Sequence, residues 1–185
     1  MENEMQFETA QGPIAVNVSD LQQMQNEISM KIQRKESFAL ATLNLDHLAK
    51  LNVDETFYRA YKGQDLVVAD GNPIVWLSRI ARRKIELLPG SDMIEPICEQ
   101  MAQMGEPIAL LGATEDSLNW AGQYLTRKYP NLDIVLKVSP PFGFDPESAA
   151  ADDVLKQVHE SGARVCFLAF GAPKQEVLGA RGKEI

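Results

Sequence analysis

The sequence predicts an α/β fold, Rossmann-like, with a mainly parallel sheet and helices on both faces. Three observations carry this prediction. Short apolar runs recur along the chain, at Ser37–Thr42, Asp65–Ala69, Pro107–Leu111, Leu132–Val138 and Ala163–Phe170. Such continuous runs fit strands buried on both faces of a parallel sheet. The segments between them place apolar residues at helical spacing, as at Leu21, Met24, Ile28 and Ile32. Capping and breaking residues stand where strands would pass into helices. Strand and helix alternate nearly throughout, which is the pattern of a parallel sheet covered by its own crossovers.

In chain order, the first dozen residues are a frayed lead-in or a short strand, and Ile14–Val18 alternates as a strand does. Ser19 or Asp20 caps a helix that runs to about Arg34. After the Ser37–Thr42 strand, helices are expected over Asp46–Leu51 and Thr56–Tyr61. The Asp65–Ala69 strand stops at Asp70-Gly71, and Pro73 at a first helical turn opens a helix over Ile74–Arg83. Pro89-Gly90 breaks the chain, and Ser91-Asp92 caps a helix to about Met104. Gly112-Ala113 turns into a helix capped by Thr114, with Glu115 and Asp116 in its first turn, where the helix dipole favours acids. Pro140-Pro141-Phe-Gly-Phe144 is a rigid loop, Pro146–Ser161 a helix, and Pro173 begins the last helix. No linker or repeat divides the chain, so residues 1–185 are read as one domain.

The bulk numbers narrow the function classes. The 185 residues are 45% apolar and 24% charged, ordinary for a globular domain, and the net charge is −8. An acidic balance argues against nucleic-acid binding, which relies on excess Lys and Arg. Cys98 and Cys166 form neither a disulfide framework nor a metal-ligand spacing, and Cys166 reads as a buried thiol inside its strand. A reducing cytoplasmic setting fits, and the acidic start MENEMQFE lacks the apolar stretch of a signal peptide. No apolar run nears the roughly 20 residues of a membrane span. The sequon at Asn17 is expected to go unused in that setting.

Several motifs are missing: Gly-x-Gly-x-x-Gly after a strand, the Walker A loop, Gly-x-Ser-x-Gly and His-Glu-x-x-His. His47 and His159 read as surface or packing residues, Asp152-Asp153 as a solvated helix face, and no metal site is expected.

In parallel sheets, ligands bind outside the carboxyl ends of the strands, and that rule selects the candidates. Asp70 follows an apolar strand directly, with Gly71 behind it. It reads either as a turn aspartate or as a general base. Thr42 and Asn44 either cap the next helix or hold a sugar or phosphate. Gly112 opens a helix whose N–H groups suit an anion, or is an ordinary turn glycine. Lys174 puts positive charge at a helix start that is already positive, an arrangement that an anion would compensate, with Glu176 as the internal alternative. The basic cluster Arg79, Arg82, Arg83 and Lys84 is either a solvated helix end or a contact for anionic head groups or a diphosphate.

Taken together, Thr-x-Asn, Ala-Asp-Gly, Pro-Gly-Ser-Asp, Leu-Leu-Gly, Pro-Pro-Phe-Gly-Phe and above all Gly-x-Pro-Lys-Gln-Glu, in this order, resemble the WecG/TagA/CpsF glycosyltransferases (glycosyltransferase family 26) from about residue 14 to the end. The resemblance implies a bacterial enzyme that moves a sugar from a UDP-sugar to a polyprenyl-diphosphate-linked glycan in cell-surface polysaccharide synthesis, such as teichoic acid or exopolysaccharide. It implies inversion, no metal, no cofactor, and a cytoplasmic protein peripheral at the inner membrane face. It assigns the base to Asp70 and pocket roles to Thr42, Asn44 and Gln175. Gly71, Gly112, Phe144, Pro173 and Lys174 complete the substrate-binding set. Two departures stand out. Leu87-Leu88 occupies a stretch where many members carry Arg, and a C-terminal tail rich in Arg, aromatic residues and Pro, through which members meet the membrane, is missing after Ile185. A non-catalytic sugar-nucleotide-binding subunit, another α/β nucleotide-dependent enzyme such as a dehydrogenase, and a homo-oligomer remain open readings.

Overall fold

The computed structural model describes residues 4–184, and the expected alternation of parallel strands with helices is present. The described chain falls into two compact units. One comprises the residues up to Met93 together with Gly179–Glu184, and the other is Ile94–Leu178.

The first unit opens with an antiparallel hairpin, Met5–Thr9 (β1) and Gly12–Val16 (β2). Residues 1–3 of the expected lead-in lie outside the described residues. Helix Leu21–Arg34 (α1) follows, capped by Asp20, whose carboxylate accepts from the Gln23 amide at 2.8 Å. That bond and one from the Ser19 hydroxyl hold the Asp20 carboxyl below its ordinary value. Met24, Ile28 and Ile32 face the core, as their spacing requires. Leu40–Leu43 (β3) pairs in parallel with Leu66–Ala69 (β4), Thr42 opposite Val68 and Leu43 opposite Ala69. Between them run Leu45–Leu51 (α2) and Glu55–Lys62 (α3). β4 is buried along its length. On its other side, Asn17 and Val18 both donate to the Val67 carbonyl, and the Asn17 side chain bonds the Val67 amide and the Asp65 carbonyl. Asn17 thus serves as a strand-edge residue.

Helix Asn72–Ile80 (α4) stops before the expected Arg83. Arg82 takes the left-handed conformation (φ 57°), and the Arg83 amide turns back to the Ser78 carbonyl at 2.8 Å, which closes the helix end. Helix Gly90–Met104 (α5) begins one residue before the expected Ser91-Asp92 cap, because the Pro89 carbonyl already accepts from the Asp92 and Met93 amides. The segment Gly179–Glu184 is tied to this unit by Lys183, which bonds the Gly63 carbonyl at 2.7 Å and the Asp65 carboxylate at 2.8 Å.

The second unit holds a three-stranded parallel sheet in the order β6-β5-β7, formed by Ile108–Gly112 (β5), Ile134–Val138 (β6) and Val165–Ala169 (β7). β5 is the central, fully buried strand. Helix Glu115–Lys128 (α6) links β5 to β6, and Ala149–Glu160 (α7) carries the chain from β6 across to β7. α7 starts three residues later than Pro146 suggests. Asp145 holds an Asx turn through its side chain to the Glu147 amide, and its carbonyl accepts from Ser148. Leu111, Phe144, Ala151, Val154, Leu155 and Leu178 form a core cluster, with Phe170 packed against it. Cys166 is half-buried against the same cluster rather than fully enclosed. Burial still pushes its thiol up to about 12, and does the same for buried Cys98. Lys174–Gly182 (α8) is the last helix. Pro173 sits just outside it, and its carbonyl accepts the first helical bond, from Val177.

Candidate functional site

In the first unit, β3 and β4 end side by side, and four expected site residues gather at their carboxyl ends. The Asp70 amide donates to the Leu43 carbonyl at 2.8 Å, which extends the ladder by one residue and leaves the half-buried Asp70 side chain at the strand terminus. Gly71 follows at φ 109°, a conformation that L side chains rarely adopt. A Cβ there would lie 3.9 Å from that of Asn44, so the Asp70-Gly71 turn and the end of β3 adjoin. Asn44 caps α2, its side-chain oxygen accepting from the His47 amide at 2.9 Å. Capping therefore accounts for the Asn44 carbonyl oxygen.

Thr42 is held from behind. Its carbonyl accepts from the Tyr61 hydroxyl, and His47 Nδ1 lies 2.8 Å from the same oxygen. A ring nitrogen facing a carbonyl carries the proton. His47, Phe57 and Tyr61 pack edge-on to one another, with ring centroids 5.2–5.9 Å apart. His47 is thus a buried packing residue that fixes the backbone beneath the site, while His159 is exposed. The Thr42 methyl meets the start of α5: a Cβ added at Gly90 would come within 3.5 Å of it. The Pro-Gly-Ser-Asp motif is the sequence signal for Gly90, which the strand-end rule does not select. The starts of α4 and α5 thus accompany the ends of β3 and β4, and unbonded N–H groups at helix starts favour negative charge. Leu88 of the Leu87-Leu88 pair donates its amide to the Ala69 carbonyl and is buried, so it completes the strand end.

In the second unit, the strand order reverses at β5, whose connection leads to β6 on one side while β7 lies on the other. This is the switch point at which open parallel sheets leave room for ligands. Gly112 and Ala169 are register partners there. Gly112 has φ 105°, and a Cβ on it would stand 2.6 Å from the Ala169 carbonyl oxygen. That oxygen accepts from the Ala113 amide at 2.9 Å. Gly112 is thus required by the close approach of two strand ends.

The segment after β7 is organised by its own polar side chains. Gln175 Oε1 accepts from the Gly171 amide at 3.1 Å, and Gln175 Nε2 donates to Glu176 Oε1 at 3.0 Å. Lys174 Nζ donates to the Phe144 carbonyl at 2.9 Å, which pins the start of α8 to the 140–148 loop. Phe144 is buried, its ring stacked on Phe170 at 5.5 Å. It contributes through its carbonyl and its place in the core. Pro173 stands in a cis peptide beside Lys174.

Within the second unit, then, the structure gathers Gly112 with the end of β7, and Phe144 with Pro173, Lys174 and Gln175. Within the first it gathers Thr42, Asn44, Asp70 and Gly71. Among the described residues, no three His, Cys, Asp or Glu side chains cluster so as to hold a metal ion, and no helix is long and apolar enough to cross a membrane. A family model described as Glycosyl transferase WecG/TagA/CpsF family matches residues 12–184, which include every one of these residues.

Proposed function

Because this chain belongs to the WecG/TagA/CpsF family of glycosyl transferases, we propose that it moves a sugar from a UDP-sugar to a polyprenyl-diphosphate-linked glycan, inverting the anomeric carbon without a metal ion. The work would be done at the inner face of the cell membrane, in the building of surface polysaccharide. The observation that carries the reading is the family match combined with the placement of Asp70, the carboxylate that directly ends the buried strand β4.

Inversion in one step needs a single base. Asp70 takes the proton from the acceptor hydroxyl as that oxygen bonds to the anomeric carbon. The bond to UDP breaks on the opposite face, and UDP leaves with the electron pair. Retaining hydrolases need a second carboxylate as nucleophile, and this reaction does not. Thr42, Asn44 and Gly71 sit beside the base and suit the donor sugar. Within the second unit, Lys174 at the start of α8 offers a cation and helix N–H groups of the kind that a phosphate charge calls for. The Lys174 ammonium would exchange the Phe144 carbonyl for a phosphate oxygen.

Asp70→Asn tests the assignment. General-base catalysis contributes about 10²–10⁴-fold. Single-turnover transfer from a labelled UDP-sugar should therefore fall at least about 100-fold, while UDP affinity by calorimetry stays within about twofold. Wild-type turnover in the variant would remove Asp70 from the mechanism. UDP binding without transfer in the wild-type protein would favour the sugar-nucleotide-binding subunit.

A further inference from the structure

Arg79, Arg83 and Lys84 share a recess that the bond-making step at Asp70 leaves unused. It measures about 400 Å³ and is lined by Asn72, Val75 and Arg79 of α4 and by the segment from Arg83 to Leu87. Sites for small molecules occupy about 300–1,000 Å³. Asn72, Val75 and Arg79 follow one another at spacings of three and four, so they form one stripe of the helix. Val75 and Ile85 are buried and make the floor, while the charged side chains are exposed. The wall facing α4 is pinned at three points. The Arg83 amide bonds the Ser78 carbonyl at 2.8 Å, the Glu86 amide the Ser19 carbonyl at 2.7 Å, and the Leu88 amide the Ala69 carbonyl at 2.8 Å. Cations on a fixed backbone need less ordering when a ligand binds. The recess also reaches the strand end that carries the base. Asn72 is two residues beyond Asp70, and Leu87 adjoins Leu88, which bonds the last residue of β4. From Asn72 to Arg79 the helix rises about 10 Å. Three lining cations meet one carboxylate, that of Glu86, in a chain whose net charge is −8. The other nearby acid is Asp20, which caps α1 and whose carboxyl Lys84 lowers in small part.

We infer that this recess holds the diphosphate of the acceptor, whose sugar then reaches back to Asp70. A diphosphate esterified at both ends keeps one negative charge on each phosphate, which the cationic excess of the lining balances. The two guanidinium forks suit phosphate oxygens, Lys84 adds a compact charge, and the Asn72 amide supplies a neutral donor. The spacing agrees with the chemistry. The base meets the acceptor hydroxyl, and a diphosphate set back from that hydroxyl by the length of its sugar falls along α4 towards Arg79. Inversion decides between acceptor and donor. UDP leaves on the face of the anomeric carbon opposite the base, so an anion site that adjoins the base serves the acceptor. This inference rests on the transferase reading with Asp70 as base, and its measurement is one of binding.

The test is calorimetry with a water-soluble probe, a geranyl diphosphate that bears one N-acetylhexosamine. The probe should bind in the presence of saturating UDP. Arg79→Gln, Arg83→Gln and Lys84→Gln should each weaken it about fivefold, as loss of one exposed charge contact does. Lys84→Arg should restore the affinity. Glu86→Gln, which removes the carboxylate from the lining, should tighten binding by a similar factor, a gain that damage to the fold would not produce. Urea midpoints of the variants show that each one folds. Unchanged probe affinity in the triple variant would overturn the inference, as would a Glu86→Gln variant that binds no better. Competition between UDP and the probe, with UDP weakened in the same variants, would transfer the recess to the donor. Equal affinity for inorganic pyrophosphate would mark a site for a free anion. Both results overturn the acceptor assignment. The expected binding pattern in a protein that transfers no sugar would keep the recess and sink the transferase; transfer without that pattern would do the reverse.

Discussion

Asp20 shows how much one side chain can decide. Its carboxylate accepts from the Gln23 amide, one of the groups that the first turn of α1 leaves open, and from the Ser19 hydroxyl. Asp20→Ala should cost about 1 kcal/mol of stability in urea unfolding. The pH dependence has a definite sign. The folded carboxyl titrates below its ordinary value of 3.8, so its contribution is present above that value. It is lost as pH falls through the lower folded value. The gap between wild type and variant should accordingly hold at pH 7 and narrow below about pH 4; a gap unchanged at pH 2 would mean that the charge plays no part. Asp20, Thr114 and Asn44 were all legible as caps in the sequence, because capping depends on neighbours three residues away. Gln175 was not. Its amide folds back on Gly171 and Glu176, a choice made by the turn geometry around Pro173 rather than by residue type.

Elements were legible wherever one period ran uninterrupted. Each strand and each of the eight described helices stands near its expected place, and the errors lie at ends where loop chemistry competes with helix. α4 stops early because Arg82 turns left-handed. α7 starts late because Asp145 prefers its Asx turn, and a proline at 146 gives no warning of that. The junction of β5 and β7 was the least visible feature, since it depends on two segments far apart in sequence. Gly112→Ala puts this element to the test. The substitution combines a φ of 105° with a carbonyl 2.6 Å from the new carbon. Strain of this kind costs about 1–3 kcal/mol before any clash is counted. We expect a loss of at least about 2 kcal/mol in denaturant unfolding. A loss under about 0.5 kcal/mol would mean that the strand ends separate freely, and Gly112 would then be an ordinary turn residue.

On the scale of the whole molecule, composition announced a globular acidic protein, and the motif set announced its family. The division into units was not announced, because no linker marks it and the first unit is built from both ends of the described chain. Lys183 is the clearest sign of that arrangement. Its ammonium joins Gly63 and Asp65 from a position 120 residues beyond Gly63, and both partners of the ion pair are mostly shielded from solvent. Lys183→Ala should therefore destabilise by about 1–3 kcal/mol, and amide hydrogen exchange should speed up at residues 179–184 and around Asp65. Faster exchange confined to residues 179–184 would reduce Lys183 to a local clasp.

The same pairing bears on how the protein is made. A ribosome adding roughly 5–20 residues per second releases Gly63 many seconds before Lys183. During that interval the nascent first unit carries Asp65 without its cation, while the unbroken Ile94–Leu178 stretch emerges with all its parts. The unit begun first is thus completed last.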